Sequence, residues 1–137
     1  SKRSNKAFSS KVDAQAKKKI ECIAIKEVTK EYTDRGFVVT SCEKENLGWD
    51  LDAVYKKTRL RIEVKGLSGE NVSVEITPNE YKKMKDYVDN YRLCIVTQCL
   101  AIPTIHVFSY STEKSTWLNE DGDELIIDQI ISAKCYV

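Results

Sequence analysis

The sequence lacks long apolar runs and a strong net charge. None of its 137 residues lie in an apolar run approaching the length of a membrane span, and no signal-peptide core stands near the N-terminus. We therefore expect no membrane partner. The net charge is only +1, so the basic surface typical of a free-standing nucleic-acid-binding protein is missing. This balance fits better a catalytic module in which an acidic site offsets a basic surface.

Paired cysteines and histidine clusters are also missing. The chain has five cysteines, widely spaced and without a Cys-x-x-Cys pair, and one histidine, His106. This argues against a zinc site and favours reduced cysteines in an intracellular protein, which we expect to be cytoplasmic. Cys22 and Cys94 lie within apolar stretches, so we predict that both are core residues.

The length of the chain fits one domain. Residues 1–11 are polar, basic and serine-rich, which predicts a flexible lead or linker, and residues 12–137 are predicted to form the single domain. The sequence does not begin with Met. We therefore expect a domain of a longer protein.

The chain alternates helical and strand patterns, which predicts an α/β fold. Apolar residues at three- and four-residue spacing predict a helix over 12–34, and a capping box at Thr77-Pro78-Asn79-Glu80 begins a second helix to about Asp89. β-rich runs predict strands over 37–41, 72–76, 91–97 and 103–108. The apolar segment 125–131 is expected to pack back onto the body.

The stretch 48–66 reads as two strands joined by a tight turn, and it carries the candidate chemistry. Because side chains alternate along a strand, Glu63 and Lys65 project together. If the strands pair as a hairpin, Asp50 lies at the open end, close to both. Two carboxylates and an ammonium at one edge of a sheet suit a hydrated divalent cation, because Mg²⁺ needs only one or two protein carboxylates.

The same residues have plainer interpretations. Charged residues alternating with aliphatic ones describe any strand with one solvated face, and Glu21, beside the apolar stripe of the first helix, could form a surface salt bridge. The capping box already explains Thr77 and Glu80, which leaves Asn79 as a candidate substrate contact.

The predicted hairpin turn is basic. Lys56, Lys57 and Arg59 could contact nucleic-acid phosphates, and solubility explains them equally well.

Five short motifs extend the pattern beyond the hairpin. They are Glu21-x-x-Ala24, Asn46-x-Gly48-Trp49-Asp50-Leu51, Ile62-Glu63-Val64-Lys65-Gly66, Thr77-x-Asn79-Glu80-Tyr81 and Tyr91-x-Leu93-x-Ile95-Val96. In this order and at these separations they resemble the NO VEIN C-terminal domain family, a branch of the PD-(D/E)xK (restriction-endonuclease-like) superfamily. The resemblance spans about residue 20 to about residue 108.

The resemblance implies a fold and a set of roles. The fold is a restriction-endonuclease-like αβββαβ core, with a mixed central sheet flanked by helices and a C-terminal extension. The activity is cleavage of nucleic acid with Mg²⁺ or Mn²⁺. Asp50 and Glu63 would bind the metal, together with the main-chain carbonyl of Val64. Lys65 would assist the attacking water or stabilise transition-state charge, and Glu21 would be an accessory acid.

We therefore expect a metal-dependent endonuclease, the DNA-cleavage module of a larger restriction or defence protein. Its expected partners are nucleic acid, with DNA favoured over RNA, and other domains of the longer chain; a homodimer stays open. The alternative is a nucleic-acid- or protein-binding module that keeps the nuclease fold without cutting. A third reading is an α/β domain whose charged strand is only solvated.

Overall fold

The computed structural model describes the backbone of residues 2–137 and the side chains from residue 11 onward. Its elements follow the order α1 (Lys2–Asp34), β1 (Val38–Ser41), β2 (Leu51–Tyr55), β3 (Thr58–Gly66), α2 (Pro78–Asp86), β4 (Tyr91–Thr97), β5 (Thr104–Ser111) and β6 (Thr116–Leu118). A single 3₁₀ turn, Glu43–Glu45, separates β1 from β2. Over residues 2–137 the predicted α/β class is confirmed, as a mixed fold of two helices and one six-stranded sheet.

The strands lie in the sheet in chain order, from β1 to β6. Strands β3 and β4 pair in parallel, and every other neighbouring pair is antiparallel. A parallel pair requires a crossover connection, and here that connection contains α2. The sheet is therefore mixed, with its one parallel pair at the centre.

The two helices cover opposite faces of the sheet. Along β4, Cys94 and Val96 pack in the cluster that contains α1, whereas Leu93 and Ile95 pack in the cluster that contains Met84 of α2. Neighbouring side chains on a strand point to opposite faces. Burial on both faces explains why β4 is a nearly continuous apolar run.

The central hairpin forms as predicted. Leu51 pairs with Ile62, and Tyr55 pairs with Thr58 across a turn in which Lys56 has a φ of +54°. The helix α2 begins with the predicted capping box, in which Thr77 and Glu80 exchange hydrogen bonds.

Helix α1 begins earlier than predicted. It is helical from Lys2, so its backbone includes most of the segment 1–11 that the sequence predicted as a flexible lead. The side chains of residues 1–10, and Ser1 as a whole, lie outside the described part. Whether this segment links the domain to another stays a prediction.

The predicted strand over 72–76 is wrong. This segment is irregular and belongs to the crossover from β3 to α2. Val74 and Ile76 pack against the cluster beneath α2, while Ser73 and Glu75 face solvent. This alternation of buried and exposed residues resembles that of a strand. The segment follows β3, however, and β3 is already paired on both sides, with β2 and with β4.

The segment 125–131, which was predicted to pack onto the body, does so only at its first residue. Leu125 packs against the core and its N–H donates to Trp117 O at 2.8 Å. Beyond it, Ile126, Ile130 and Ile131 are 80%, 73% and 99% exposed, so the expected packing of 125–131 is wrong. Strand β6, which holds the buried Trp117, was not predicted.

The two cysteines that were predicted as core residues differ in burial. Cys94 is fully buried, as predicted, but Cys22 is exposed on α1. Within the described part of the chain, neither helix combines the length and apolar character that crossing a bilayer requires.

Candidate active site

A cavity of about 490 Å³ lies where β3 ends. Its lining includes every residue predicted as catalytic or metal-binding, namely Glu21, Asp50, Glu63, Val64 and Lys65. It also includes Lys17 and Glu80, which the sequence did not single out as site residues. The cavity is acidic, because Glu43 and Glu75 also reach it and Lys17 and Lys65 are its only cations among the described residues.

Asp50 is fixed by the backbone at the open end of the hairpin. Its N–H donates to Ile62 O at 2.9 Å, and its Oδ2 accepts from the Val64 N–H at 2.9 Å. The pairing of Leu51 with Ile62 places Asp50 opposite Glu63, as the sequence predicted. Burial raises the pKa of Asp50, and the hydrogen bond from Val64 opposes that rise.

Glu63 is the one charged residue of the described chain that is buried, at 3% exposure. Burial, followed by the negative charges of Asp50 and Glu80, raises its pKa to about 10. The Lys65 ammonium lies 3.3 Å from Glu63 Oε2 but does not offset these effects. At neutral pH the carboxyl therefore carries a proton that a cation could replace.

Lys65 stands between two glutamates. Its Nζ lies 3.3 Å from Glu63 Oε2 and 2.9 Å from Glu80 Oε1. Burial alone would lower the pKa of Lys65, but the two glutamates outweigh it and raise the pKa. The side chain stays an ammonium, which favours an electrostatic role over that of a free-amine base.

Glu80 contributes to the cavity as well as to the helix cap. Its Oε1 accepts from the Thr77 N–H at 2.8 Å and from Lys65 Nζ at 2.9 Å. The capping box explained Glu80 from sequence alone, so nothing in the pattern linked it to Lys65. Only the crossover that carries α2 over the end of β3 brings the two together.

Glu21 reaches the cavity because α1 crosses β3 at a glycine. A Cβ on Gly66 would lie 3.0 Å from Ala24 Cβ, Ile20 Cγ2 and Ile20 O, so a larger residue here would require α1 to shift away from β3 by a few tenths of an ångström. Glu21 follows Ile20 and therefore lies at the rim, where it is exposed. The structure thus brings Glu21 to the cavity without pairing it with Asp50 or Glu63.

The predicted nucleic-acid contacts are not brought to this cavity. Arg59 lies four residues from Glu63 along β3, roughly 13 Å at a strand rise of about 3.3 Å. It pairs with Asp52 at 3.0 Å, while Lys56 lies over the ring of Tyr55. Lys57, at the same turn, is exposed. Binding of nucleic acid by these residues stays a prediction.

Asn79 lies beside the loop that leads to Asp50. Gly48, with a φ of +97°, is so close to α2 that a Cβ there would lie 3.1 Å from Asn79 Nδ2 and 2.6 Å from Lys83 Cγ. A substrate contact by Asn79 stays a prediction.

The donor set fits a hard cation that keeps much of its water. Among the described residues, no three His, Cys, Asp or Glu side chains converge as a complete metal site. Asp50 and Glu63 nevertheless provide two carboxylates, and Val64 lines the same cavity. Mg²⁺ is commonly held by one or two carboxylates and water, so these donors suffice for it.

Comparison with known proteins confirms the family suggested by the motifs. The family model described as Protein NO VEIN, C-terminal matches residues 20–110, more than half of the chain. The matched region runs from the part of α1 that packs on β3 into β5, so it contains all five residues predicted as catalytic or metal-binding. No curated protein matches the chain, and no solved structure matches it.

Proposed function

The chain belongs to the NO VEIN C-terminal domain family, and from that premise we propose that its acidic cavity is the active site of a metal-dependent nuclease. The observation that carries the proposal is the meeting of Asp50, Glu63 and Lys65 in one cavity of about 490 Å³. Three side chains from two neighbouring strand ends converge there, in a space that can admit a phosphate group.

Asp50, Glu63 and the carbonyl of Val64 are the residues that would hold Mg²⁺ or Mn²⁺. The cation, when bound, activates water and neutralises charge that grows on the phosphate. Glu63 favours uptake of the cation because an ionised carboxylate at 3% exposure is unfavourable unless a positive charge compensates it. Since the cation must displace a proton from Glu63, its affinity should rise with pH.

Lys65 acts on the reacting phosphate through its charge. Its ammonium is fixed at two points, by Glu63 and by Glu80, and an orientated cation in a partly enclosed site stabilises developing negative charge without reorganisation. Glu21, at the rim on α1, would serve as the accessory acid.

The element order supports a restriction-endonuclease-like core. From α1 through β1, β2, β3 and α2 to β4 the chain follows the sequence αβββαβ, and the proposed site lies on the second and third strands. Strands β5 and β6 would then be the C-terminal extension. On this proposal the domain is the cleavage module of a larger restriction or defence protein, with DNA as its expected substrate.

Plasmid cleavage tests the activity. The purified chain is incubated with plasmid and Mg²⁺ or Mn²⁺, alongside Asp50→Ala, Glu63→Gln and Lys65→Ala, and with Glu70→Ala as a control on an exposed turn outside the cavity. Each of the three site variants should lose about 100-fold or more in rate, as removal of one transition-state contact typically does. The Glu70 variant should cut like the parent chain.

Calorimetry with Mn²⁺ makes the test independent of substrate delivery. The parent chain should bind Mn²⁺, and Glu63→Gln should bind it far more weakly. Cleavage that survives in all three site variants would refute the proposal. A parent chain that neither cuts nor takes up Mn²⁺ would favour the alternative, a binding module that keeps the fold without the chemistry.

A further inference from the structure

Glu80 has no role in the proposed reaction, but it contacts Lys65, which has one. One oxygen, Oε1, accepts from both Lys65 Nζ at 2.9 Å and the Thr77 N–H at 2.8 Å. The second bond fixes the carboxylate to the start of α2, where Pro78 follows Thr77 and Met84 anchors the helix in the core. Glu80 is therefore a rigid partner, with only 14% of its side chain exposed.

Lys65 contacts two carboxylates, those of Glu63 and Glu80. Its contact with Glu80 is shorter, 2.9 Å against 3.3 Å for Glu63, and the glutamate at the longer distance is the more deeply buried. A lysine paired only with Glu63 would itself compensate the charge of that carboxylate, in place of the proton or of a divalent cation. The hydrogen bond between an ammonium and a carboxylate is charge-assisted, and such bonds are stronger than those between neutral groups.

We propose that Glu80 is a positioning residue: by holding the Lys65 ammonium, it leaves Glu63 available to a divalent cation. This inference rests on the proposed function, because it concerns the same cation site. It adds that the start of α2, rather than β3 alone, sets the competition between Lys65 and the metal for Glu63.

Metal affinity in a double-mutant cycle tests the proposal without measuring cleavage. Mn²⁺ binding to the whole chain is measured by calorimetry for the parent chain, Glu80→Gln and Lys65→Met, and for the pair combined. Glu75→Gln is the matched control, since Glu75 lines the same cavity but does not pair with Lys65. It removes the same charge from the cavity without releasing the lysine.

Loss of Glu80 should act through Lys65. Glu80→Gln should weaken Mn²⁺ binding about tenfold, the size expected when a charged hydrogen bond is redirected onto Glu63. Glu75→Gln should weaken it less than about threefold, because it removes a charge that does not pair with Lys65. In the Lys65→Met background, where no lysine competes for Glu63, the effect of Glu80→Gln should fall to that of Glu75→Gln.

Two further measurements separate positioning from helix stability. Gln at this position still forms a capping box, so α2 should persist in Glu80→Gln. Thr77→Ala removes the cap but keeps the Glu80 carboxylate, so it should lower the melting temperature while leaving Mn²⁺ affinity within about twofold.

Each result bears on a different claim. An undiminished effect of Glu80→Gln in the Lys65→Met background, or an equal effect of Glu75→Gln in the parent chain, overturns the positioning role and leaves the nuclease proposal standing. A parent chain that binds no Mn²⁺ overturns both.

Discussion

Replacing Glu63 with Gln should stabilise the metal-free protein at neutral pH, although it removes a residue from the centre of the candidate site. Glu63 is 3% exposed, and burial with the nearby charges of Asp50 and Glu80 raises its pKa to about 10. In an unfolded chain the pKa of a glutamate is about 4.3. Between these two values the folded protein binds a proton that the unfolded chain releases.

The sign and size of the effect follow from that difference. A raised pKa in the folded state gives a stability contribution that is complete below the unfolded pKa and is lost as pH rises toward the folded pKa. The loss is at most about 1.4 kcal/mol per pH unit. At pH 7.5 this limits the effect of Glu63 to about 4 kcal/mol. Gln has a similar shape without the acid, so we expect it to recover roughly 2–4 kcal/mol.

Glu80→Gln is the matched control, because it changes the other partner of the same lysine. Burial alone would raise the pKa of Glu80, but the Thr77 N–H and Lys65 outweigh burial and lower it. A lowered pKa gives stability that is present above the unfolded pKa and lost as pH falls through the folded pKa. Glu80→Gln should therefore destabilise the protein at pH 7.5, opposite in sign to Glu63→Gln.

Urea unfolding followed by circular dichroism measures both variants. With a chelator present, the stability advantage of Glu63→Gln over the parent chain should be larger at pH 7.5 than at pH 5, because the parent chain loses stability as pH rises from the unfolded pKa of Glu63 toward its folded pKa. With Mn²⁺ at about 100 times its Kd, the parent chain should gain about 2.7 kcal/mol, and Glu63→Gln should gain almost nothing. A Glu63 variant that is less stable at pH 7.5, or equally changed at every pH, would refute the reasoning.

The site could be predicted from the sequence where it depends on local strand geometry. Alternation along residues 58–66 places Glu63 and Lys65 on one face, and a two-residue turn then places Asp50 opposite Glu63. These relationships use only the period of a strand and the shortness of the turn, so they need no knowledge of the rest of the fold.

The parts that the sequence did not predict depend on packing between distant segments. Glu80 meets Lys65 only because the crossover places the start of α2 above the end of β3. Lys17 reaches the rim because Gly66 lets α1 pack closely at Ile20. Neither relationship leaves a periodic signal, and Glu80 already had an ordinary local explanation as part of the capping box.

The wrong predictions for segments 72–76 and 125–131 also concern packing between distant segments. Val74 and Ile76 alternate with polar residues because they pack on the α2 face, and the sequence pattern cannot tell that packing from pairing in a sheet. Whether such a segment becomes a strand depends on a free sheet edge, which is a property of the whole fold. The exposed Ile130 and Ile131 show likewise that apolar character alone does not specify a packing partner.

Two further predictions concern substrate approach and the loop before Asp50. Lys17→Glu should weaken nucleic-acid binding and reduce the salt slope of log K by about 0.9 per lost phosphate contact, because Lys17 lines the cavity, whereas Lys57→Glu at the distant turn should not. An equal loss in both variants would instead support the predicted contact of the hairpin turn with nucleic acid. Tyr91→Phe should loosen the loop, since the buried Tyr91 hydroxyl donates to Gly48 O at 2.7 Å, two residues before Asp50. Leaving that carbonyl unsatisfied costs about 1–3 kcal/mol, which should appear as a lower melting temperature together with weaker Mn²⁺ binding. A lower melting temperature with unchanged Mn²⁺ affinity would show that Asp50 is held by its own bonds to β3 and does not depend on the loop behind it.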